Sequence, residues 1–333
     1  MHKEQQIRFA TIGTNFITAQ FLKAAKGHKE LIYQCTYSRE DQKAEDFANA
    51  HGARQWCSEL EELAGSPEVD AVYIASPNGL HFSQAAMMIE AGKHVLCEKT
   101  ITTNAEEFNI LVEKARQNGV VLMEAMRSVF TPGFEQLQDA VKALGQIRRV
   151  SFQYCQYSSR YDNYKKGIIE NAFNPKFSNG ALMDIGVYCI YPLVTLFGAP
   201  ERIMADAIML ENGVDGAGTV LAHYKEFQAE LTYSKIADGY IENQIQGEEG
   251  TLCFNHITNP CRFKTVFRNG YISTVTLPEL QNNMSYEIGK WICFIQEKNI
   301  NHDYLNHSQK TLETMDCVRK QLGIIFPGDK KWM

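Results

Sequence analysis

The alternation of two residue patterns over the first 125 positions constrains this chain more than any other feature. Short β-branched or apolar runs are IRFATI from Ile7, LIYQCTY from Leu31, DAVYIAS from Asp70, KHVLCE from Lys93 and VVLMEA from Val120. Helical stretches at 15–26, 41–51, 81–91 and 105–117 separate them. Runs that are apolar almost throughout, with helices between, predict a parallel sheet covered on both faces, hence a doubly wound α/β domain over residues 1–125. Past Arg127 the period changes. RRVSFQYCQYSSRY from Arg148 sets Val150, Phe152, Tyr154 and Gln156 on one face by alternation. Strand-like runs follow at GTVLAHY from Gly218, AELTYS from Ala229, YIENQIQGEEGTLCF from Tyr240 and CRFKTVFRNGYISTVTL from Cys261. In the last, Asn269-Gly270 predicts a tight hairpin with two left-handed residues. With helical segments at 180–197, 284–298 and 305–322, residues 126–333 are expected to form an α+β domain around a large, mainly antiparallel open sheet.

Composition narrows the function classes. Lys plus Arg number 33 against 39 Asp plus Glu, a net charge of -6 spread without a basic block, which argues against nucleic acid and anionic membranes as partners. No apolar run is expected to approach the roughly 18–20 residues of a membrane helix. The start MHKEQQIRFA lacks an apolar segment before a small-residue cleavage site, so a cytoplasmic location is expected. Nine scattered cysteines without a C-x-x-C pair support neither a disulfide framework nor structural zinc. His302 and His307 lack the helical spacing of zinc enzymes, and no metal is expected.

The stretch RFATIGTNFITAQFLKAAKG from Arg8 runs from strand to helix through one glycine. Gly13, Asn15 and Thr18 stand where a dinucleotide-binding turn has three glycines. Asn tolerates positive φ and Thr is small, so these residues permit such a turn without demanding it, and a plain strand-to-helix connection is the alternative. At the end of the second strand, TYSRE places Ser38 and Arg39 where an acid would hold the ribose of NAD. A guanidinium matches a phosphate in charge and fork geometry, which favours NADP(H). Arg39 as a solvated charge opening the next helix is the alternative, and Glu40 leaves NAD possible.

SPNGLHFSQAAMMIEAGKHVLCEKT from Ser76 resembles the Gfo/Idh/MocA oxidoreductases, with their T/S-P-N-x-x-H and A-G-K-H-V-x-x-E-K-P segments. NGALMDIGVYCIYPLVTLFGAP from Asn179 is similar to the family's G-G-G-A-L-x-D-x-G block, and the final HSQKTLETMDCVRKQLGIIFPGD extends the resemblance over the whole chain. Tyr188 stands four residues after Asp184, where many members have histidine. With EAM at Glu124, it resembles the branch of dimeric dihydrodiol dehydrogenase and glucose-fructose oxidoreductase. Arg127 and Val129 depart from that branch's Trp and Arg, and Thr100 replaces the proline after Lys99.

The resemblance implies an N-terminal Rossmann domain that binds NAD(P) through a degenerate turn. Its candidate contacts are Gly13, Thr14, Asn15, Phe16 and Ile17 in the turn, and Ser38 and Arg39 after the second strand. Ser76, Pro77, Asn78 and His81 follow the third, and Glu98 and Lys99 the next. His81 as a structural hydrogen-bonder is the alternative. Hydride transfer to or from a carbonyl needs a proton donor and a nearby cation. Tyr188 is expected as general acid in reduction and base in oxidation, with Lys99 stabilising the developing alkoxide; the roles are exchangeable. Asp184, four residues from Tyr188 on one helix face, would orient a substrate hydroxyl or Lys99, with Gly186 allowing close approach of cofactor or chain. A core tyrosine beside Cys189 and Tyr191 is the alternative for Tyr188.

The expected function is thus an NADP-dependent oxidoreductase acting on a hydroxyl or carbonyl of a sugar, cyclitol or dihydrodiol. An NAD-dependent polyol or inositol dehydrogenase, or a non-catalytic NADP-binding sensor, are the alternatives. The alternations Q-Y-C-Q-Y and L-T-Y-S put aromatics on a sheet face expected to pack against a twin, in a homodimer or homotetramer.

Overall fold

The computed structural model describes residues 6–331 and divides into two compact units. The first comprises the chain through Ala125 together with Asn282–Asn306, the second Met126–Gln281 and the residues from His307 onward. The break after Ala125 falls where the sequence pattern changes. The return of 282–306 to the first unit corrects the expected two-segment division, because tertiary contacts attach it. Asn282 Nδ2 donates to the Gln20 carbonyl at 2.8 Å, His28 Nε2 meets Ser285 Oγ at 2.9 Å, and His302 Nε2 meets the Leu122 carbonyl at 2.8 Å.

In the first unit, strands β1 (Ile7–Ile12), β2 (Leu31–Tyr37), β3 (Gln55–Cys57), β4 (Ala71–Ile74), β5 (His94–Glu98) and β6 (Leu122–Ala125) form one parallel sheet in the order β3-β2-β1-β4-β5-β6. The order reverses between β1 and β4, the place where open α/β sheets bind ligands at their carboxyl ends. Every side chain of β4 is buried, as two covered faces require. Helices α1 (Phe16–Ala25), α2 (Asp41–His51), α3 (Leu60–Gly65), α4 (His81–Glu90) and α5 (Ala105–Asn118) connect the strands. The sequence pattern missed β3 and α3, which have only three and six residues, too short to establish a period.

The second unit holds an eight-stranded sheet. Its strands are β7 (Ile147–Cys155), β8 (Arg202–Met209), β9 (Asp215–His223), β10 (Gln228–Ser234), β11 (Asn243–Gly247), β12 (Gly250–Phe254), β13 (Arg262–Phe267) and β14 (Ile272–Thr276), in the order β14-β13-β12-β11-β7-β10-β9-β8. Only the β7–β10 pairing is parallel. Val150, Phe152, Val220, Leu231, Ile245, Leu252 and Phe254 bury one face, each worth about 1.5–3 kcal/mol against exposure. Helix α6 (Pro132–Lys142) was not anticipated, although Thr131 Oγ1 caps it by accepting from the Phe134 N–H at 3.2 Å and Pro132 opens it.

Three expectations need correction. Among the described residues only Ser178 and Lys298 are non-glycine residues with positive φ, so in the β13–β14 turn Gly270 (φ 86°) is left-handed and Asn269 is not. The Gly270 N–H donates to the Phe267 carbonyl and the Phe267 N–H to that of Tyr271, a longer bulged hairpin loop. The aromatics assigned to a twin-facing surface do not share one free face: Tyr233 is buried, the half-buried Tyr154 meets Tyr188 edge-on, and the half-buried Tyr157 meets Tyr161 edge-on. Finally, the stretch Pro175–Phe197 is long and apolar enough to cross a membrane by composition, but 78% of its most apolar window is buried inside the protein, where it is a core element.

Candidate active site

The candidate cofactor residues sit at the carboxyl ends of β1, β2, β4 and β5. Gly13 follows β1 with φ +111°, and a Cβ there would lie 2.9 Å from the Ala75 carbonyl oxygen. Glycine is therefore required by both conformation and space. Gly13→Ala is expected to lower unfolding stability by about 1–3 kcal/mol. A urea midpoint equal to that of the unmodified protein would show that the turn relaxes around a side chain.

Asn15 does not use the positive φ that made it acceptable as a glycine substitute; its backbone is extended (φ -94°, ψ -179°). It caps α1 instead. Oδ1 accepts from the Thr18 N–H at 3.1 Å, while Nδ2 donates to the Ala75 carbonyl at 2.6 Å, tying the turn after β1 to the end of β4. Thr14 and Ile17 are half-buried, and Phe16 at the start of α1 is 75% exposed. After β2, the Ser38 N–H donates to the Cys57 carbonyl at 3.3 Å and Arg39 is exposed.

Beyond β4, Ser76 Oγ donates to Gln84 Oε1 at 2.6 Å, Pro77 is extended, and Asn78 opens a short 3-10 turn. His81 is wholly buried. Its Nδ1 lies 2.9 Å from the Thr100 carbonyl oxygen and its Nε2 2.8 Å from that of Ser76. These contacts, which join the loops after β4 and β5 as a clamp, are the geometry that the structural alternative for His81 describes. Burial pushes its imidazole below the usual range, while the two carbonyls oppose the shift.

Glu98 Oε1 accepts from the Tyr73 hydroxyl at 2.6 Å. Lys99 follows, half-buried, and the Lys99–Thr100 peptide is cis. The backbone past Lys99 is held by carboxylates: Glu124 Oε1 accepts from the Ile101 N–H at 3.0 Å, and Glu107 Oε2 from that of Thr103 at 3.1 Å.

The other candidate residues belong to the second unit. Leu182–Gly186 winds as a π-helical turn that leads into helix α7 (Val187–Phe197), and Asp184 stands in it. Such wide turns are rare and recur at functional sites. Asp215 of β9 fixes this turn: Oδ2 accepts from the Leu182 N–H at 2.7 Å, and burial raises its carboxyl despite those backbone donors. Gly186 allows close approach of the chain: a Cβ there would meet the Tyr233 ring at 3.1 Å. Tyr188, on the first turn of α7, is 7% exposed with its ring 5.6 Å from that of Tyr154 at 80°.

Lys235, the residue directly after β10, was missed from sequence. Its Nζ lies 2.6 Å from Asp184 Oδ2, donates to the Ala172 carbonyl at 2.8 Å and sits 4.5 Å from the centre of the Phe173 ring. The available signal was a charge directly after the alternating run AELTYS. Asp215, in NGVDGAG, reads as a turn residue and gave no signal. Among the described residues, no group of three or more His, Cys, Asp or Glu side chains could hold a metal ion.

The sequence matches two family models. Residues 7–126 match the GFO_IDH_MocA model, described as oxidoreductase family with NAD-binding Rossmann fold, and residues 134–253 the GFO/IDH/MocA C-terminal domain. The chain is 44% identical over 326 residues to scyllo-inositol 2-dehydrogenase (NADP(+)) IolU of Bacillus subtilis, covering 97% of this chain and 99% of that one. It is 26% identical over 341 residues to trans-1,2-dihydrobenzene-1,2-diol dehydrogenase of Macaca fascicularis, covering 97% and 99%. In fold it is similar to the crystal structure of KijD10, a 3-ketoreductase from Actinomadura kijaniata in complex with NADP and TDP-benzene. The TM-score is 0.86 at 23% identity, over 95% of this chain and 98% of that one.

Proposed function

The chain belongs to the Gfo/Idh/MocA oxidoreductase family, and from that premise we propose that it is an NADP-dependent dehydrogenase of cyclitols or closely related sugars. The observation that carries this reading is the 44% identity, sustained along both chains, to a dehydrogenase whose name gives scyllo-inositol and NADP(+). The exposed Arg39 after β2, where an acid would favour NAD, supports the same cofactor. The cap of α1 and the turn at Gly13 suit a pyrophosphate at a helix N-terminus. Held by the turn at residues 13–17 and by Ser38 and Arg39, NADP(H) would supply hydride acceptance for alcohol oxidation and hydride donation for carbonyl reduction.

The chain's own residues handle the proton and the charge. Tyr188 takes the proton of the reacting hydroxyl during oxidation and gives it back during carbonyl reduction. Lys99 stabilises negative charge on the substrate oxygen, and its backbone is preorganised by the His81 clamp and by Glu124. Asp184, paired with Lys235, accepts a hydrogen bond from a second substrate hydroxyl, which suits a neutral polyol.

Fluorescence titration with NADPH and NADH side by side tests the cofactor. Arg39→Asp is expected to weaken NADPH binding by roughly 10- to 100-fold, the loss of a charge-assisted hydrogen bond, and to leave NADH within threefold. Equal losses would overturn the assignment of Arg39. NADP(+)-coupled oxidation of scyllo-inositol tests the substrate class, and a protein that binds NADPH without turning over any polyol would be a sensor instead.

A homo-oligomer is part of the proposal. The exposed Met204 and Ile208 of β8 and Ile272 of β14 are the apolar residues for it, in place of the sheet aromatics. A cytoplasmic location is also proposed, and the nine cysteines, all free thiols, suit a reducing compartment.

A further inference from the structure

Lys235 is a lysine enclosed on all sides, its side chain 3% exposed against 30% for that of its partner Asp184. Three parts of the unit build the enclosure. Phe173 presents its ring, Ala172 its carbonyl, and the π-helical turn the Asp184 carboxylate. Tyr161 and Tyr164 pack behind Phe173 at ring separations of 5.8 and 5.6 Å. The backbone of Lys235 is held as well, its N–H donating to the Gly216 carbonyl at 2.9 Å and its own carbonyl accepting from the Ser158 N–H at 2.9 Å. Other titratable groups of this cluster include Asp215 of β9, which feels the Lys235 charge, Tyr233 of β10, which contacts Asp215, and the buried Cys189, which lies close to Tyr233.

Burying the Lys235 charge beside a partly exposed Asp184 is a weak stability device, since desolvating the ammonium offsets much of its attraction to the carboxylate, and an apolar side chain of similar volume serves as well or better. Packing alone therefore does not account for an ammonium here. What the ammonium does provide is an electrostatic and geometric constraint on Asp184, since a cation in hydrogen-bond contact favours the charged carboxylate and limits its rotamers.

We propose that Lys235 is a positioning residue for the reaction: from inside the second unit it holds the Asp184 carboxylate ionised and aimed for a substrate hydroxyl, without touching substrate itself. This rests on the proposed role of Asp184 in polyol binding. It adds a residue outside the motifs of the family resemblance, and it couples the site to the aromatic segment around Phe173.

The test is a double-mutant cycle of Lys235→Met and Asp184→Asn in the full-length protein. It is read as kcat/KM for scyllo-inositol across pH, with NADPH titration reporting the integrity of the cofactor unit. Lys235→Met is expected to lower kcat/KM by at least about tenfold, chiefly through KM, and to move the acid limb of the profile to higher pH by about one unit. NADPH affinity should stay within threefold. On the Asp184→Asn background, the same change should cost less than about threefold, because the residue acts through Asp184. Equal losses on both backgrounds, or an unmoved acid limb, would overturn the proposal while leaving Asp184 in place. An Asp184→Asn variant with undiminished kcat/KM would instead overturn the reading on which it rests. Lys235→Arg, which keeps the charge, should restore the position of the acid limb; should Lys235→Met fail to fold, an Arg variant with a shifted limb would count against the proposal.

Discussion

Tyr188→Phe is expected to lower kcat for polyol oxidation by roughly 10²–10⁴-fold, the range that a positioned general acid–base contributes. The change removes one oxygen and keeps the ring that packs edge-on against Tyr154, so folding should be little affected. Cofactor affinity should also be unaltered, because Tyr188 belongs to the second unit and every candidate cofactor residue to the first. Steady-state kinetics with NADP(+) and scyllo-inositol, beside NADPH titration, separate the two readings. A kcat within threefold of the unmodified enzyme would make Tyr188 the core tyrosine that its burial also allows.

Lys99→Met should cost about 10²–10³-fold in kcat, the scale for removing one preorganised group that stabilises developing charge. The side chain is replaced at nearly constant length, and the backbone around it is fixed by contacts that methionine does not disturb. The Thr100 carbonyl is held by His81, the Ile101 N–H by Glu124 and the Thr103 N–H by Glu107. A small loss of NADPH affinity is expected alongside, since the family resemblance also makes Lys99 a candidate cofactor contact. Unchanged kcat with lower cofactor affinity would confine Lys99 to binding.

The sequence carried the parallel sheet because burial on both faces leaves a continuous apolar run with little ambiguity. It carried the large sheet of the second unit less completely. Strand β8 alternates exposed and half-buried residues, so it has no apolar period to read. The turn between β13 and β14 was identified at the right place with the wrong conformation, since Asn-Gly permits a left-handed Asn without imposing one.

The candidate residues Lys99, Asp184 and Tyr188 were legible because they stand in motifs of fixed order and spacing. Residues that act at a distance in sequence were not. Asp215 and Lys235 are separated from Asp184 by 31 and 51 positions, and no local pattern relates strand ends to a helical turn. His81 was visible, but which of its two roles it holds depends on what surrounds both ring nitrogens. By itself the sequence determined the layered α/β architecture, the family and which side chains are candidates for the chemistry, because these follow from local periodicity and from residue identity at fixed spacing. Only the tertiary structure decided that 282–306 returns to the first unit, that Tyr233 is buried, and that Asp184 meets a buried lysine. Burial and ion pairing are set by groups remote in the chain, and their energies exist only once the packing brings those groups together.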